Sequence, residues 1–484
     1  MTAHDSTAAA RERGANTSLI LGVLALGGGA YALMQSLVVP ALPTLQRDLH
    51  TSPSGVTWIF TSYLLAASVV TPIGGRLGDM FGKKWLLVVV LTGLAVGTLI
   101  GALATSLALM IVARTIQGLG GAIFPLAFGI IRDTFPRERV AVGIALVSGL
   151  LGIGGGLGIL LAGPILEHFS YHWLFWISLL VTSAAAVAAI AFIPESGVRQ
   201  SGHLDWLGSA LLSAWLIALL LAVSEAPSWG WVATKTLALF VVSAVAAAAW
   251  VAAESRSPRP LVDMTTMRLS GVWTTNLAAL LLGFGLYGAF VLIPQFVQTP
   301  TSTGYGFGAS VSQAGLFFAP TTVALLITSP IGGRLSNSVG AKLPLVLGSI
   351  VTTVAFVVLA IADSRWEIYL ASTLVGVGVG LAFASMANLI VEAVPPGQTG
   401  VATGVNTIAR TIGGAIGVEI AASILAAHAL ANGLPEKHGY TLTFWTIAAV
   451  LLVGVLAAVA VPGRSRGRAR SSVFLDRAGT TEAG

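Results

Sequence analysis

The chain has no cysteine among its 484 residues, so disulfides, thiolate metal sites and thiol nucleophiles are excluded. It is also poor in charge. Only 9% of its residues are Asp, Glu, Lys or Arg, against roughly 25% in a soluble domain, whose surface must be wetted. With 55% hydrophobic residues and a mean hydropathy of +0.89, such a chain cannot cover itself for water. A larger soluble core would not help, because surface still grows with size. The hydrocarbon of a bilayer is the solvent that fits. The seven histidines fall in tails, loops or helix ends, and none pairs at metal-ligand spacing. The glycine-rich runs lie inside apolar stretches with no strand before them, so nucleotide-binding readings fail as well. No enzymatic activity, cofactor or metal is expected.

What the chain does have is apolar blocks of membrane-crossing length, about 20 residues each. Fourteen can be marked, at 17–42, 56–74, 85–104, 107–131, 140–163, 172–194, 206–224, 234–253, 272–297, 311–333, 343–362, 367–391, 400–427 and 441–462, numbered here as spans 1 to 14. Trp229 and Trp231 read as interfacial aromatics in a short turn between spans 7 and 8. The first block is too long for a signal peptide and lacks a small-residue cleavage site, so it is expected to remain as span 1.

A net charge of +6 raises the question of nucleic acid, but the distribution answers it. With the N-terminus placed in the cytoplasm, alternate loops give the inner side 19 of the 25 Lys and Arg and the outer side four: Arg47, Lys235, Arg365 and Lys437. The remaining two, Arg114 and Arg410, lie inside apolar blocks. This is a positive-inside pattern for an even number of spans, with both termini cytoplasmic, and not a nucleic-acid footprint. The basic tail, from Arg464 to Arg477, acts as a topology determinant and a contact for lipid headgroups.

The chain is internally duplicated. Pro72-Ile73-Gly74-Gly75-Arg76-Leu77 recurs letter for letter as Pro330 to Leu335, with Gly82 matching Gly340 and Lys84 matching Lys342. Ile153-Gly154-Gly155 and Gly158 recur at Ile412, Gly413, Gly414 and Gly417, one residue off the same register. Both copies of the first motif follow an even-numbered span, so they share polarity, as in parallel six-helix repeats around an axis along the membrane normal. The expected organisation is a disordered cytoplasmic N-terminus (1–16), an N-terminal six-helix bundle (17–198), a two-helix insert (199–262), a C-terminal six-helix bundle (263–462) and a basic cytoplasmic tail (463–484).

At these residues the chain resembles a known family. Gly75-Arg76-Leu77-Gly78-Asp79-Met80-Phe81-Gly82-Lys83-Lys84 resembles the loop 2–3 signature of the major facilitator superfamily. Arg114-Thr115-Ile116-Gln117-Gly118-Leu119-Gly120-Gly121 looks like its span 4 signature. Trp58 to Tyr63, Asp205-Trp206-Leu207-Gly208 and Gly404 to Gly417 are similar to the fourteen-span drug:proton antiporters. The resemblance covers the chain apart from its tails. It implies an all-α integral membrane protein that works by alternating access between two halves, with protons as the coupling ion and a small molecule as substrate.

Several residues are singled out on this basis. Gly75, Arg76, Asp79, Gly82, Lys83 and Lys84 form, by the resemblance, a charge latch between helices; alternatively they are a topology-setting basic loop. The second copy has Asn337 in place of Asp79, so the two halves are not held equally. Arg114 is a membrane-buried charge expected to face the bundle interior with a partner, and Gln117 shares its face. The resemblance gives Arg114 a role in proton movement; the alternative is a hydrogen-bond hub for neighbouring carbonyls. Glu419 is the acid that falls well inside a span, and a carboxyl in low dielectric can bind and release a proton near neutral pH. It is either the coupling site or a hydrated acid near the outer end. Glu419 and Arg410 are nine residues apart, about 13.5 Å along a helix, too far for a direct pair.

The chain also departs from the antiporters. They commonly carry an Asp in span 1 where this sequence has Met34 followed by Gln35, so no acid titrates there. In span 5 the glycines from Gly149 to Gly158 are abundant, but Ile159 stands where Gly-Pro is expected. Such a run means either close helix packing or the bend the resemblance implies.

For the substrate cavity the candidates are Tyr31, Gln35, Tyr63, Tyr287, Phe290, Asn388 and Asn406, a largely apolar set of the kind that binds a drug-sized ligand. No acid in the set would pair with a cation. With no ATP-cradling loop, transport is expected to be secondary. The expected function is export of small, largely apolar organic compounds by proton antiport, as a monomer in contact with lipid in the inner membrane. A dedicated exporter of one endogenous metabolite or antibiotic is the nearest alternative. A non-transporting receptor or a lipid-active enzyme would bring a soluble domain or a cluster of acids and histidines, which the sequence lacks.

Overall fold

A computed structural model of the chain describes residues 3–51, 53–195, 205–258, 260–395, 398–430 and 434–462. Among the described residues fourteen helices are long and apolar enough to cross a membrane. They are α1 (Ala3–Asp48), α2 (Pro53–Phe81), α3 (Lys83–Leu103), α4 (Leu107–Thr134), α5 (Arg137–His168), α6 (His172–Phe192) and α7 (Trp206–Trp229). The second series is α8 (Thr234–Arg256), α9 (Ser270–Gln298), α10 (Val311–Val339), α11 (Lys342–Ile361), α12 (Arg365–Ala393), α13 (Thr399–Ala427) and α14 (Lys437–Ala460). The molecule is an all-α integral membrane protein of six, two and six helices.

Two expectations change. Helix α1 begins at Ala3, within the segment 1–16 expected to be disordered. The reason is local: Ala8, Ala9, Ala10, Arg11 and Glu12 are strong helix formers, and the span behind them supplies the nucleus. Trp229 is the last residue of α7 rather than a turn residue, and the turn is made by Gly230 at φ 97. The basic tail (463–484) and the residues at 199–204 that begin the insert lie outside the described residues.

The duplicated motifs become duplicated geometry. Gly82 and Gly340 both take positive φ, 111 and 90, where the chain reverses between α2 and α3 and between α10 and α11. Only glycine does this without a Cβ penalty. The second echo is a helix contact. Gly154 and Gly158 of α5 pack on Ala32 and Ser36 of α1, while Gly413 and Gly417 of α13 pack on Leu280 and Phe284 of α9. A Cβ at any of the four would collide, so close approach of two backbones sets the residue type.

The halves meet along two seams. In one, α5 lies against α10: Gly149 faces Ser329, Gly156 faces Thr322 and Gly163 faces Ser312. In the other, α2 lies against α13, with Gly75 facing Gly400. These contacts support the packing reading of the span 5 glycines. The insert is not symmetric in its contacts. Helix α8 packs on α7, whereas α7 packs on both α2 and α13 and so bridges the second seam.

Candidate functional site

Two faces of the molecule can be told apart by their loops: a basic face, carrying the Gly82 and Gly340 turns, and the opposite face. A vestibule of about 830 Å³ opens on the opposite face between the halves, with Thr44 and Arg47 of α1, Glu167 of α5, Gln295 and Gln298 of α9 and Val311 of α10 on its walls. Its volume lies within the range of drug-sized ligand sites. Val39, Phe290 and Val291 also line a narrow chamber of about 50 Å³ that forms its floor.

The chamber draws on both halves. Tyr31 and Gln35 come from α1, Phe60 from α2, Tyr287 and Phe290 from α9, Phe383 from α12 and Arg410 from α13. Gln35 Nε2 donates to the Tyr287 hydroxyl at 3.3 Å, a hydrogen bond across the halves. The Arg410 guanidinium lies over the Phe383 ring, 4.5 Å from its centre. Its one hydrogen bond among the described residues runs from a terminal nitrogen to Thr407 Oγ1 at 3.2 Å.

Three of the seven cavity candidates stand elsewhere. Tyr63 is fully buried behind the chamber wall, stacked on Tyr31 with ring centres 5.7 Å apart. Asn388 donates to the Ala141 carbonyl at 3.3 Å, tying α12 to α5 toward the basic face. Asn406 donates to Asn276 Oδ1 at 3.0 Å, tying α13 to α9. Both asparagines found a partner on another helix, the usual fate of buried polar groups, whereas the Tyr63 hydroxyl has no hydrogen-bond partner among the described residues. Sequence reasoning left Phe60, Phe383 and Thr407 out of the set. It flagged Arg410 as an intramembrane charge but did not place it in the cavity.

Arg114 lies outside the chamber. Its Nε donates to the Ile59 carbonyl of α2 at 3.0 Å, and one terminal nitrogen reaches Gln117 Oε1 at 2.8 Å and the Met34 carbonyl of α1 at 3.5 Å. The guanidinium sits over the Tyr63 ring at 4.2 Å, and its other terminal nitrogen has no partner among the described residues. Arg114 therefore makes the bonds of a hub joining three helices. The close approach of α4 to α2 comes from its 3₁₀ stretch Gly118–Ala122, where Gly118 rests on Ala66 and Gly121 on Ala67.

Glu419 is on α13 but in a side pocket beyond the chamber, walled by Phe60, Thr61, Leu220, Ser224 and Tyr287. Glu225 of α7 is its electrostatic neighbour. The insert is fastened beside it: Thr61 Oγ1 and Ser224 Oγ are 2.8 Å apart, and Trp231 Nε1 donates to Ser423 Oγ at 2.8 Å. Glu419 and Arg114 do not meet.

On the basic face the halves are closed. Lys83 pairs with Asp79 at 3.2 Å and with Asp133 of α4 at 2.9 Å, all three being buried. A Cβ on Gly75 would stand 2.6 Å from the Gly400 carbonyl oxygen, and one on Gly400 would stand 3.2 Å from Asp79 Oδ2. The Asp79 carboxylate therefore faces the first turn of α13, where the helix dipole favours negative charge. Arg132 completes the seal by bonding Thr399 and the Val394 carbonyl. In the other half Asn337 donates to the Glu138 carbonyl at 3.2 Å, an exposed hydrogen bond with no ion pair. Of the remaining motif residues, Arg76 is half-buried in α2 and Lys84 lies 5.6 Å from the centre of the Trp85 ring.

Comparison with known proteins agrees with this architecture. The chain matches the family model described as Major Facilitator Superfamily over residues 24–418 and 277–477. It is 29% identical over 401 residues to the tetracenomycin C resistance and export protein of Streptomyces glaucescens, covering 82% of this chain and 73% of that one. It is 27% identical over 394 residues to the multidrug resistance protein Stp of Mycobacterium tuberculosis, covering 80% and 72%. Among solved structures, the human organic anion transporter MFSD10 superposes with a TM-score of 0.66 at 16% identity, over 91% of this chain and 99% of that one, a likeness of fold.

Proposed function

The chain belongs to the major facilitator superfamily, and on that premise we propose that it is a proton-driven exporter of small organic molecules. The observation that carries this is the vestibule of about 830 Å³ between the halves, open on one face and shut on the other by the bonds of Arg132 to Thr399 and Val394 and by close backbone contact at Gly75 and Gly400. With the basic face in the cytoplasm, as the distribution of Lys and Arg supports, the structure is the outward-facing, release state of an alternating-access cycle. Both termini are then cytoplasmic.

In this reading Asp79, Lys83 and Asp133 hold the inner gate and the vestibule floor receives substrate. Glu419 carries the proton, and Arg114 keeps α1, α2 and α4 in register. The vestibule is built from one chain, so a monomer suffices. Apolar side chains on the membrane helices such as Leu180, Val241 and Val245 face outward, as contact with lipid requires. The relative named for tetracenomycin C export favours a second reading, a dedicated exporter conferring resistance to one self-made compound.

The test is a resistance profile of a drug-hypersensitive host expressing the chain, with and without a proton uncoupler. The expected result is resistance that the uncoupler removes. Neither resistance in the host nor proton-dependent uptake of any compound in inverted vesicles would leave the export reading without support.

A further inference from the structure

The floor of the vestibule carries a charge that nothing among the described residues neutralises. Arg410 is 3% exposed, and a guanidinium this far from water normally has a carboxylate for a partner. None of the residues lining the chamber is an Asp or a Glu. Glu419, on the same helix, is nine residues on, about 13.5 Å along the axis. Of five N–H donors, Arg410 uses one on Thr407 and makes no ion pair among the described residues.

Arg114, also buried and also without a carboxylate, makes the contrast. Its Nε and one terminal nitrogen are spent on backbone carbonyls and Gln117, and its other terminal nitrogen, though without a partner among the described residues, belongs to a side chain that does not line the chamber. The free donors of Arg410 instead belong to a side chain that lines the chamber. Around it stand aromatic rings from both halves: Tyr31, Phe60, Tyr287, Phe290 and Phe383. Phe383 already lies against one face of the guanidinium.

A planar fork of donors is matched by the paired oxygens of a carboxylate or sulfonate, and surrounding rings favour an aromatic body. A cation in the same place would meet a like charge in low dielectric with no acid to offset it. Resting on the reading of the vestibule as the substrate path, we propose that the vestibule and the chamber at its floor together select aromatic anions, compounds with an apolar ring system and one anionic group, and that Arg410 in the chamber is the residue that binds that group.

Three probes on one scaffold separate charge from shape: naphthalene-2-sulfonate, naphthalene-2-sulfonamide and 2-naphthylmethylammonium. Their affinities are measured by titration calorimetry on the full chain in nanodiscs, with empty nanodiscs subtracted. The sulfonate should bind at least about tenfold tighter than the sulfonamide, a difference of about 1.4 kcal/mol, and the ammonium should bind weakest. Arg410→Gln should bring the sulfonate down to the level of the sulfonamide. Thr407→Asp should do the same while keeping the guanidinium in place, by giving it an internal counter-charge; it decides the matter if Arg410→Gln fails to fold. Equal affinities for the three probes, tightest binding of the ammonium, or a sulfonate preference that survives Thr407→Asp would overturn the proposal.

The binding result does not depend on transport. If the ammonium binds best and is accumulated in an uncoupler-sensitive way, the exporter reading stands and the charge preference falls. If the sulfonate preference holds and no probe is ever accumulated, the reverse is true.

Discussion

Arg410 and Glu419 lie about two and a half turns apart on α13 and bring opposite charges into adjoining pockets that share Phe60, Tyr287 and Val418. Substrate and proton are thereby assigned to one helix, and a substitution should be able to separate them. Glu419→Gln keeps the shape and a hydrogen bond but cannot release a proton. We expect it to abolish pH-gradient-driven accumulation of naphthalene-2-sulfonate in inverted vesicles while changing calorimetric affinity less than about threefold, under 1 kcal/mol. Wild-type accumulation rates in the Glu419→Gln vesicles would remove Glu419 from the coupling path. The sequence already pointed to both residues, because a charge inside an apolar block has to be accounted for. It could not say that Arg410 faces a cavity and Arg114 does not. That distinction rests on whether carbonyls such as those of Met34 and Ile59 happen to lie within reach. Tyr31, Gln35, Tyr287 and Phe290 were legible for the chamber as inward-facing polar aromatics and their neighbours. Tyr63, of the same chemistry, is covered by the guanidinium of Arg114.

Helix pairs show the same mixture. The repeated Ile-Gly-Gly of α5 and α13 was visible as letters, and its meaning, two equivalent backbone contacts with α1 and α9, follows from the packing. That α7 would lie on the α2–α13 seam was not visible, since nothing in an all-apolar helix states which neighbour it will touch. The difference between Asp79 and Asn337 was visible in the repeats, and in the proposed gate it takes a physical form. Asp79 faces a helix N-terminus and pairs with a buried Lys83, whereas Asn337 makes one exposed bond to Glu138. A carboxylate at a helix N-terminus contributes about 0.3–1 kcal/mol, and up to about 2 kcal/mol where it is partly buried, enough to move a two-state equilibrium severalfold, and this contact crosses between the halves. Asp79→Asn should therefore shift the molecule toward the inward-open state, and Asn337→Asp should shift it less. Because the chain contains no cysteine, spin labels on Thr44→Cys of α1 and Val311→Cys of α10 report across the vestibule with no background. Asp79→Asn should enrich the shorter distances, and an unchanged distribution would show that the seal is held by backbone packing at Gly75 and Gly400 alone.

For the molecule as a whole, the architecture could be read from the sequence because hydrocarbon leaves few options: a backbone there must be helical, and apolar blocks of fixed length count the helices. The access state could not, because it depends on the balance of a few seals at the basic face, each of a few kcal/mol, and not on any one residue type. The charge moved per cycle connects the two charged residues of α13 to that whole-molecule motion. If one anion leaves as one proton enters, two elementary charges cross the membrane per turnover. A neutral substrate would give one, and a cation none. Each charge is worth about 2.3 kcal/mol per 100 mV, so a potential of about 60 mV contributes about 1.4 kcal/mol per charge, a factor of ten in accumulation. The anion should therefore accumulate about a hundredfold more for every 60 mV, interior positive, in inverted vesicles. Potentials set by valinomycin and potassium gradients, with naphthalene-2-sulfonate as the probe and protein-free vesicles subtracted, give the slope directly. A slope of two charges is the expected outcome for an aromatic anion exchanged against one proton. A slope of one would mean that the anion crosses with no proton exchanged against it, and a slope of zero that a proton crosses in the same direction as the anion. Either of the lower values would contradict the assignment of Arg410 and Glu419 to separate charges on the same helix.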